Sequence, residues 1–136
     1  MKKLLSIKYS AAAFNAALLI LRLGSGILIM HHGYDKLVNF SSMSADFKIH
    51  FLGLGSGISL GLVVFAEFFC GLFIVLGLFT RLVTIPLIIN MSFALFKAHQ
   101  ADVFGKGELS ALFLTTFIVI LLLGPGKVSV DGMTGK

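Results

Sequence analysis

The sequence predicts an all-α protein, a bundle of four transmembrane helices with a structured connection between the first and second helices. Of the 136 residues, 57% are hydrophobic and only 12% are charged, whereas a soluble domain carries about 25% charged residues. A chain this short cannot bury so much apolar surface within itself. The apolar residues also form four long runs separated by short polar segments, and such runs are typical of helices that cross a bilayer.

The same composition limits the class of protein. It excludes a soluble enzyme domain, a disordered tail and a nucleic-acid reader. The net charge of +5 does not indicate a nucleic-acid partner, because the basic residues stand at the ends of the apolar runs, as membrane orientation requires. We therefore expect one membrane domain over residues 1–136, with the lipid bilayer as its main partner.

Each of the four helices is predicted from one apolar run, and they cover residues of about 10–32, 58–79, 82–99 and 107–124. The first three runs approach or exceed the length of about 20 residues that a hydrocarbon core needs. The fourth run is shorter, so it is expected to begin before Glu108 or to thin the bilayer locally. Gly124-Pro125-Gly126 ends it sharply.

Four crossings would place both termini on one side of the membrane. Cytoplasmic segments carry an excess of basic residues, and the side with the termini has the larger set. We therefore predict a multi-pass protein of a bacterial-type cytoplasmic (inner) membrane, with both termini in the cytoplasm. The basic residues on that side are Lys2, Lys3, Lys8, Arg81, Lys127 and Lys136, against Lys36, Lys48, Lys97 and Lys106 on the other side.

The connection from Tyr34 to Gly57 is polar and rich in glycine. A connection this long usually has some structure of its own. Its part from Phe47 to Leu54 carries large apolar residues and is predicted to be a short interfacial or re-entrant segment at the headgroup level. Small residues spaced four apart allow helices to pack closely in lipid, so this spacing at Gly53, Gly57 and Gly61 predicts a close helix contact.

Two residues of opposite charge lie deep inside predicted spans. Arg22 is about ten residues from the outer end of the first helix, and Glu67 is about nine residues from the outer end of the second. Because each charge alone is costly in lipid, we predict that the two side chains meet near the midplane. Asn90 is expected at the same depth as a neutral partner. The pair could fix the helix register or form a polar functional site, and the sequence favours neither.

The histidines are predicted to gather at the outer end of the bundle. His31 and His32 close the first helix, His99 closes the third, and His50 lies in the outer connection, near Asp35, Asp102 and Glu108. No metal and no haem is expected there, because no H-x-x-x-H spacing occurs. Ordinary interface histidines are the simplest interpretation, and contact with a proton, a polar headgroup or a quinone carbonyl is the alternative.

Several motifs resemble those of the DoxX family. They are Arg22-Leu23-Gly24, the segment His32-Gly33-Tyr34-Asp35-Lys36-Leu37, the run from Glu67 to Gly77-Leu78-Phe79-Thr80-Arg81, and an ending with Gly124-Pro125-Gly126, Ser129 and Asp131. The resemblance implies a four-helix membrane protein linked to membrane oxidoreductase systems. One branch of the family resembles a thiosulfate:quinone oxidoreductase subunit, and another is associated with thiol-based detoxification. The positions that match its polar pattern are Arg22, His32, Lys36, Glu67, Thr80 and Arg81.

Cys70 is the single cysteine, so a thiol mechanism borne by this chain alone is disfavoured. No catalytic motif is visible, and any enzyme role would be that of a non-autonomous subunit. The leading hypothesis is a membrane subunit of a quinone-linked oxidoreductase or redox-stress system, with no cofactor of its own, a borrowed quinone, and a membrane or soluble redox partner. The alternatives are a transporter or proton-conducting module for a small polar solute, and a non-catalytic scaffold. A homo-oligomer is compatible with each.

Overall fold

The structure is a computed structural model that describes residues 1–47 and 53–135. Within these residues all regular secondary structure is helical, as predicted. Four long helices form the body of the molecule, and two short helices lie beside its ends. In chain order they are α1 (Ala11–Val38), α2 (Phe40–Asp46), α3 (Ser56–Leu76), α4 (Thr80–Ala98), α5 (Glu108–Leu123) and α6 (Val130–Met133).

Among the described helices, three are both long and apolar enough to cross a membrane: α1, α3 and α4. The fourth apolar helix, α5, has 16 residues and rises about 24 Å, which is shorter than a hydrocarbon core of about 30 Å. The prediction of apolar membrane helices is therefore confirmed for three of the four runs. The fourth run forms a helix that starts at Glu108 itself and not before it.

The long helices alternate in direction, and α1 packs along α3 while α4 packs along α5. The starts of α1 and α4 lie at one end of the bundle with the ends of α3 and α5; we call this the terminal end. The ends of α1 and α4 lie with the starts of α3 and α5 at the opposite end, which we call the histidine end.

The first helix is longer than predicted. It was expected to stop near residue 32, but α1 continues to Val38, and the backbone N–H of Asn39 donates to the carbonyl of Asp35 at its end. Nothing in this segment breaks a helix, since Gly33 is tolerated within one at a cost of about 1 kcal/mol. Lys36 consequently lies on the helix and not in the connection, which changes its partners.

The connection after α1 contains α2, which packs against the start of α3. The predicted interfacial segment Phe47–Leu54 lies largely outside the described residues, and His50 and Lys48 lie outside them as well.

The turn between α3 and α4 differs from the prediction by two or three residues. Helix α3 ends at Leu76, because Gly77 adopts a left-handed conformation at φ 69°. Helix α4 begins at Thr80, where the Asp131 carboxylate accepts hydrogen bonds from the backbone N–H groups of Phe79 and Thr80, each 2.9 Å long. This carboxylate satisfies N–H groups that have no partner within the helix. The turn therefore depends on a residue more than fifty positions away.

The prediction of close packing at Gly53, Gly57 and Gly61 is wrong. A methyl group built on any of the three would have nothing within 4 Å. The close helix contact is instead between α1 and α3, where a methyl group built on Gly33 would lie 2.5 Å from the backbone nitrogen of Phe68. On Gly26 it would lie 3.0 Å from the carbonyl oxygen of Gly71. Four-residue spacing indicates small residues on one helix face, but it does not identify the face that meets a neighbour.

An apolar core occupies the middle of the bundle between its two polar ends. Its buried side chains come from all four long helices, including Ile29 of α1, and the Phe113 and Phe117 rings stack at 5.8 Å. Ile74, Leu87, Phe117 and Ile120 are each 0% exposed. This core holds the helices together. It therefore holds the polar side chains at each end of the bundle in position relative to one another.

Candidate functional site

The predicted contact between Arg22 and Glu67 is wrong. The guanidinium of Arg22 lies near the terminal end of the bundle, where it contacts the last turn of α3. Glu67 lies in the middle of α3 and packs against Gly33 of α1. Eleven residues of α1, or about 16 Å, separate the levels of Arg22 and Gly33. Each charged side chain is buried, and each has partners of its own.

Arg22 donates four hydrogen bonds, each to a main-chain carbonyl. Its Nη1 donates to the carbonyl oxygens of Pro125 and Val128 at 2.8 and 2.7 Å. Its Nε and Nη2 donate to Ile74 and Val75 at 3.2 and 3.3 Å. Two of these carbonyls belong to the last turn of α3, and the other two belong to the loop after α5. Arg22 therefore joins three segments of the chain, and its exposed fraction is 1%.

The reason for the wrong prediction is an error in depth. The predicted depth of Arg22 is its distance from a helix end at residue 32, whereas α1 extends six residues further, to Val38. The true level of Arg22 is thus closer to the terminal end than estimated. The predicted depth of Glu67 needs no such change, since α3 begins at Ser56, two residues before the predicted start.

Glu67 pairs with a lysine and an asparagine from two other helices. Lys36 Nζ on α1 lies 2.6 Å from Glu67 Oε2, and Asn90 Nδ2 on α4 donates to Glu67 Oε1 at 3.1 Å. The hydrogen bond with Asn90 agrees with the sequence prediction that the two residues share one depth. The Glu67 side chain is 5% exposed and that of Lys36 is 24% exposed, so the pair is accessible from the lysine side.

This ion pair forms one wall of a cavity of about 260 Å³ at the histidine end, which we call the Glu67 cavity. Two imidazoles and a second lysine line it together with Lys36 and Glu67, and apolar side chains complete the wall. The lining residues are Ile29, His32, Lys36, Glu67, Met91, Ala94, His99, Lys106, Leu109, Ser110 and Phe113.

Two helical stretches that border this cavity are π-helical. Phe65–Cys70 in α3 contains Glu67, and Ala94–Ala98 at the end of α4 directly precedes His99. A π-helical turn has one extra residue per hydrogen-bonded turn and redirects the side chains around it, and such turns are frequent at functional sites. Here the two π-helical turns affect the directions in which the Glu67 and His99 side chains point.

The predicted histidine cluster is only partly formed. His32 and His99 both line the Glu67 cavity, and His32 meets the Phe113 ring edge-on at 6.1 Å. His31 instead faces outward, 3.6 Å from the Asp35 carboxylate. The neighbours His31 and His32 differ because successive helix residues point about 100° apart.

Thr80 and Arg81, the other two predicted positions, lie at the terminal end, far from the Glu67 cavity. Thr80 is fully buried, and its hydroxyl is the one buried side-chain oxygen without a hydrogen-bond partner in the described part of the chain. Arg81 is exposed and makes a long contact of 3.4 Å with the carbonyl of Leu122. Arg22, Thr80 and Arg81 therefore belong to the closure of that end and not to the cavity.

A groove on the surface of the bundle lies between α3 and α4. This α3–α4 groove has a volume of about 280 Å³ and is almost entirely apolar. It shares one feature with the Glu67 cavity: Asn90 lines the groove, and its amide holds Glu67. The remaining lining residues are Ser59, Leu62, Val63, Phe65, Ala66, Ile85, Pro86, Ile89 and Phe93.

The Glu67 cavity can bind a polar group by hydrogen bonding and can exchange protons with it. Lysine donates only, a neutral imidazole donates and accepts, and a carboxylate accepts, while imidazole titrates near neutral pH. In residues 1–47 and 53–135, no three His, Cys, Asp or Glu side chains lie close enough to hold a metal ion.

Three residues that line the Glu67 cavity are not predicted from the sequence. Lys106 was counted only as an outer-side charge, and Ser110 and Phe113 were not singled out, yet all three line the cavity. A usable signal existed for the Lys36 pairing, because a basic residue in a last helical turn followed by Asn39 is typical of a helix end. Nothing in the sequence indicated the loop carbonyls that bind Arg22.

Comparison with known proteins adds a family. The sequence model of the DoxX family matches residues 17–100, which is more than half of the chain. The matched range contains every side chain predicted for the site, but it stops before the ending that resembles the family's, Gly124-Pro125-Gly126. No curated protein and no solved structure matches the chain. The predicted side chains within the range are Arg22, His31, His32, Lys36, Glu67, Thr80, Arg81, Asn90 and His99.

Proposed function

We propose that this chain, which belongs to the DoxX family of membrane proteins, is the quinone-binding membrane subunit of a redox system. The ring of the quinone would lie in the Glu67 cavity. The observation that carries the proposal is that Lys36, Glu67, His32 and His99 line a single cavity at the histidine end of the bundle, next to its apolar core.

The chemistry of a quinone fits these side chains. A quinone becomes a quinol by taking two electrons and two protons, and its two carbonyl oxygens become hydroxyl groups. Hydrogen-bond donors at the oxygens stabilise the negative charge that develops during this reduction. Lys36, His32 and His99 are among the donors in the cavity, together with Lys106 and Ser110, and the imidazoles with Glu67 could pass the two protons.

The electrons would come from a partner protein. The single cysteine of this chain, Cys70, is buried in α3 and has no second cysteine with which to form a disulfide. A soluble or membrane oxidoreductase would therefore carry the electron source, and this chain would supply the quinone. That arrangement agrees with the oxidoreductase systems that the family resemblance implies.

The size of the Glu67 cavity suits a single ring. Its volume of about 260 Å³ is near the lower end of small-molecule sites, which begin at about 300 Å³. One substituted ring is therefore a better fit than a nucleotide or a haem. The long apolar chain of a membrane quinone would have to lie elsewhere.

A transporter is less well supported. A polar solute would have to pass from the Glu67 cavity to the terminal end, but the side chains between the two levels belong to the apolar core. Ile74, Leu87 and Phe117 are each fully buried there. A scaffold function makes no use of the charged cavity, so the quinone hypothesis accounts for more of the observations.

Binding measured in lipid nanodiscs tests the proposal. We expect saturable binding of a decyl-substituted benzoquinone at micromolar concentration. Lys36→Met and His99→Leu should each weaken it by about tenfold, which corresponds to the loss of about 1.4 kcal/mol. Arg81→Gln, at the exposed terminal end, is the matched control and should bind like the unaltered protein. No saturable binding, or equal affinities in all variants, would refute the quinone site.

A further inference from the structure

We infer that the α3–α4 groove binds the apolar chain of the ligand, and that the ligand reaches the Glu67 cavity from the lipid by passing between α3 and α4. This inference rests on the proposed function, because it concerns the same ligand. It assigns a second binding surface and a route of access. The Glu67–Asn90 hydrogen bond joins a residue that lines the cavity to a residue that lines the groove.

The groove has the chemistry of a chain site. Its walls are apolar apart from Ser59 and Asn90, and its volume is about 280 Å³. Phe65 and Ile89 line it and remain 51% and 44% exposed, so the groove opens on the face of the bundle that meets lipid. An isoprenoid or alkyl chain gains no hydrogen bonds and needs only such a surface.

Glu67 lies on the boundary between the two spaces. Its Oε2 faces the cavity side, where Lys36 Nζ lies at 2.6 Å. Its Oε1 accepts the hydrogen bond from Asn90, which lines the groove. When the Asn90 amide turns away, Glu67 keeps its ion pair with Lys36, and the seam between α3 and α4 loses its polar contact at this level.

Both helices are irregular at this level, which favours their separation. In α3, Phe65 and Ala66 belong to the π-helical stretch and line the groove. In α4, Pro86 lies inside the helix and lines the groove, and proline cannot donate the backbone hydrogen bond of a regular turn. Helices bend at prolines and π-helical turns.

The chain site predicts that affinity depends on the tail of the quinone. A decyl-substituted benzoquinone should bind the nanodisc-embedded protein more tightly than the same benzoquinone without the tail. Ile89→Trp fills the groove from an exposed position, so it should lower the affinity of the tailed compound by about tenfold and leave the tailless compound unaffected. Leu112→Trp, at a 65% exposed position of α5 away from the groove, is the control and should change neither.

The outcomes separate this inference from the proposed function. Binding of both quinones that Ile89→Trp leaves unchanged would overturn the chain site while the head site stands. Failure of both quinones to bind would overturn both. The access route has its own measurement, because Asn90→Ala should speed the association and dissociation of the tailed quinone in stopped-flow experiments. Exchange no faster than in the unaltered protein would overturn the route.

Discussion

A charge buried in an apolar bundle needs partners, and the two deepest charges of this chain find different ones. Arg22 binds two carbonyls in the last turn of α3 and two in the loop after α5, so it joins a helix end to a loop as well as being a buried cation. Glu67 binds the side chains Lys36 and Asn90. The planar guanidinium of Arg22 holds three segments of the chain together at the terminal end. Glu67 instead lines a cavity, where a bound ligand could change its hydrogen bonds.

Arg22→Lys should destabilise the protein by about 2 kcal/mol, in the range for hydrogen bonds to charged groups. A lysine carries one compact ammonium and cannot reach the carbonyls of α3 and those after α5 together. The free energy of unfolding can be measured by titration with sodium dodecyl sulfate in mild detergent. Arg81→Lys is the matched control, since Arg81 is exposed, and it should change the stability little. Equal effects of the two substitutions would contradict the binding of Arg22 by carbonyls.

The Lys36–Glu67 pair can be tested by a double-mutant cycle. Removing one partner leaves a buried charge uncompensated, while removing both costs less. We expect Lys36→Met and Glu67→Gln to be less destabilising together than the sum of their separate effects, with a coupling of about 1–3 kcal/mol. The same unfolding titration measures it. Additive effects would show that the pair contributes no coupling to stability.

At the scale of elements, the contact between α1 and α3 depends on glycines that bring two backbones together. Gly33 lies against the backbone of Glu67 and Phe68, so this contact sets the level at which Glu67 stands. Hydropathy predicted the existence of the helices well, because a long apolar run has few alternatives in a membrane. It did not predict the glycine contact or the π-helical stretches, since neither leaves a periodic pattern in one helix.

Gly33→Ala should destabilise the protein by about 1–3 kcal/mol, the usual cost of overpacking, because the added methyl group would overlap the α3 backbone. Gly24→Ala, in the same helix but with nothing within 4 Å of the added group, should be neutral or stabilise by up to about 1 kcal/mol. Unfolding titrations of both variants give the comparison. Similar stabilities for the two would rule out the close approach at Gly33.

At the scale of the whole molecule, α5 and the turn before it extend along α4 from one end to the other. Gly107, just before α5, lies against Leu95 and His99 near the end of α4. At its other end, the carbonyl of Leu122 meets Arg81 beside the start of α4. Because α5 and its flanking residues reach both ends of α4, which is long enough to span a membrane, they support the proposal of four crossings, with some local thinning of the bilayer at the shorter α5. That both termini lie on the cytoplasmic side stays a prediction from the basic residues.

Cysteine labelling tests this topology. In a Cys70→Ser background, single cysteines at Leu5, Phe104 and Met133 occupy positions that are 81%, 94% and 83% exposed. A membrane-impermeant maleimide applied to intact cells should label only the variant Phe104→Cys, because that loop lies at the opposite end from the termini. Labelling after cell disruption controls for reactivity. Modification of Met133→Cys together with Phe104→Cys in intact cells would exclude four crossings.

By itself, the sequence determined that this is a helical membrane protein, where its long helices lie to within a few residues at most ends, and that the charged side chains of Arg22 and Glu67 are buried. These properties follow from the cost of placing backbone and charge in lipid, which acts on each segment separately. Only the tertiary structure decided which buried groups meet. The pairing of Glu67 with Lys36 depends on how far α1 continues and on the register of α1 against α3, and the partners of Arg22 are backbone carbonyls, which every residue carries alike.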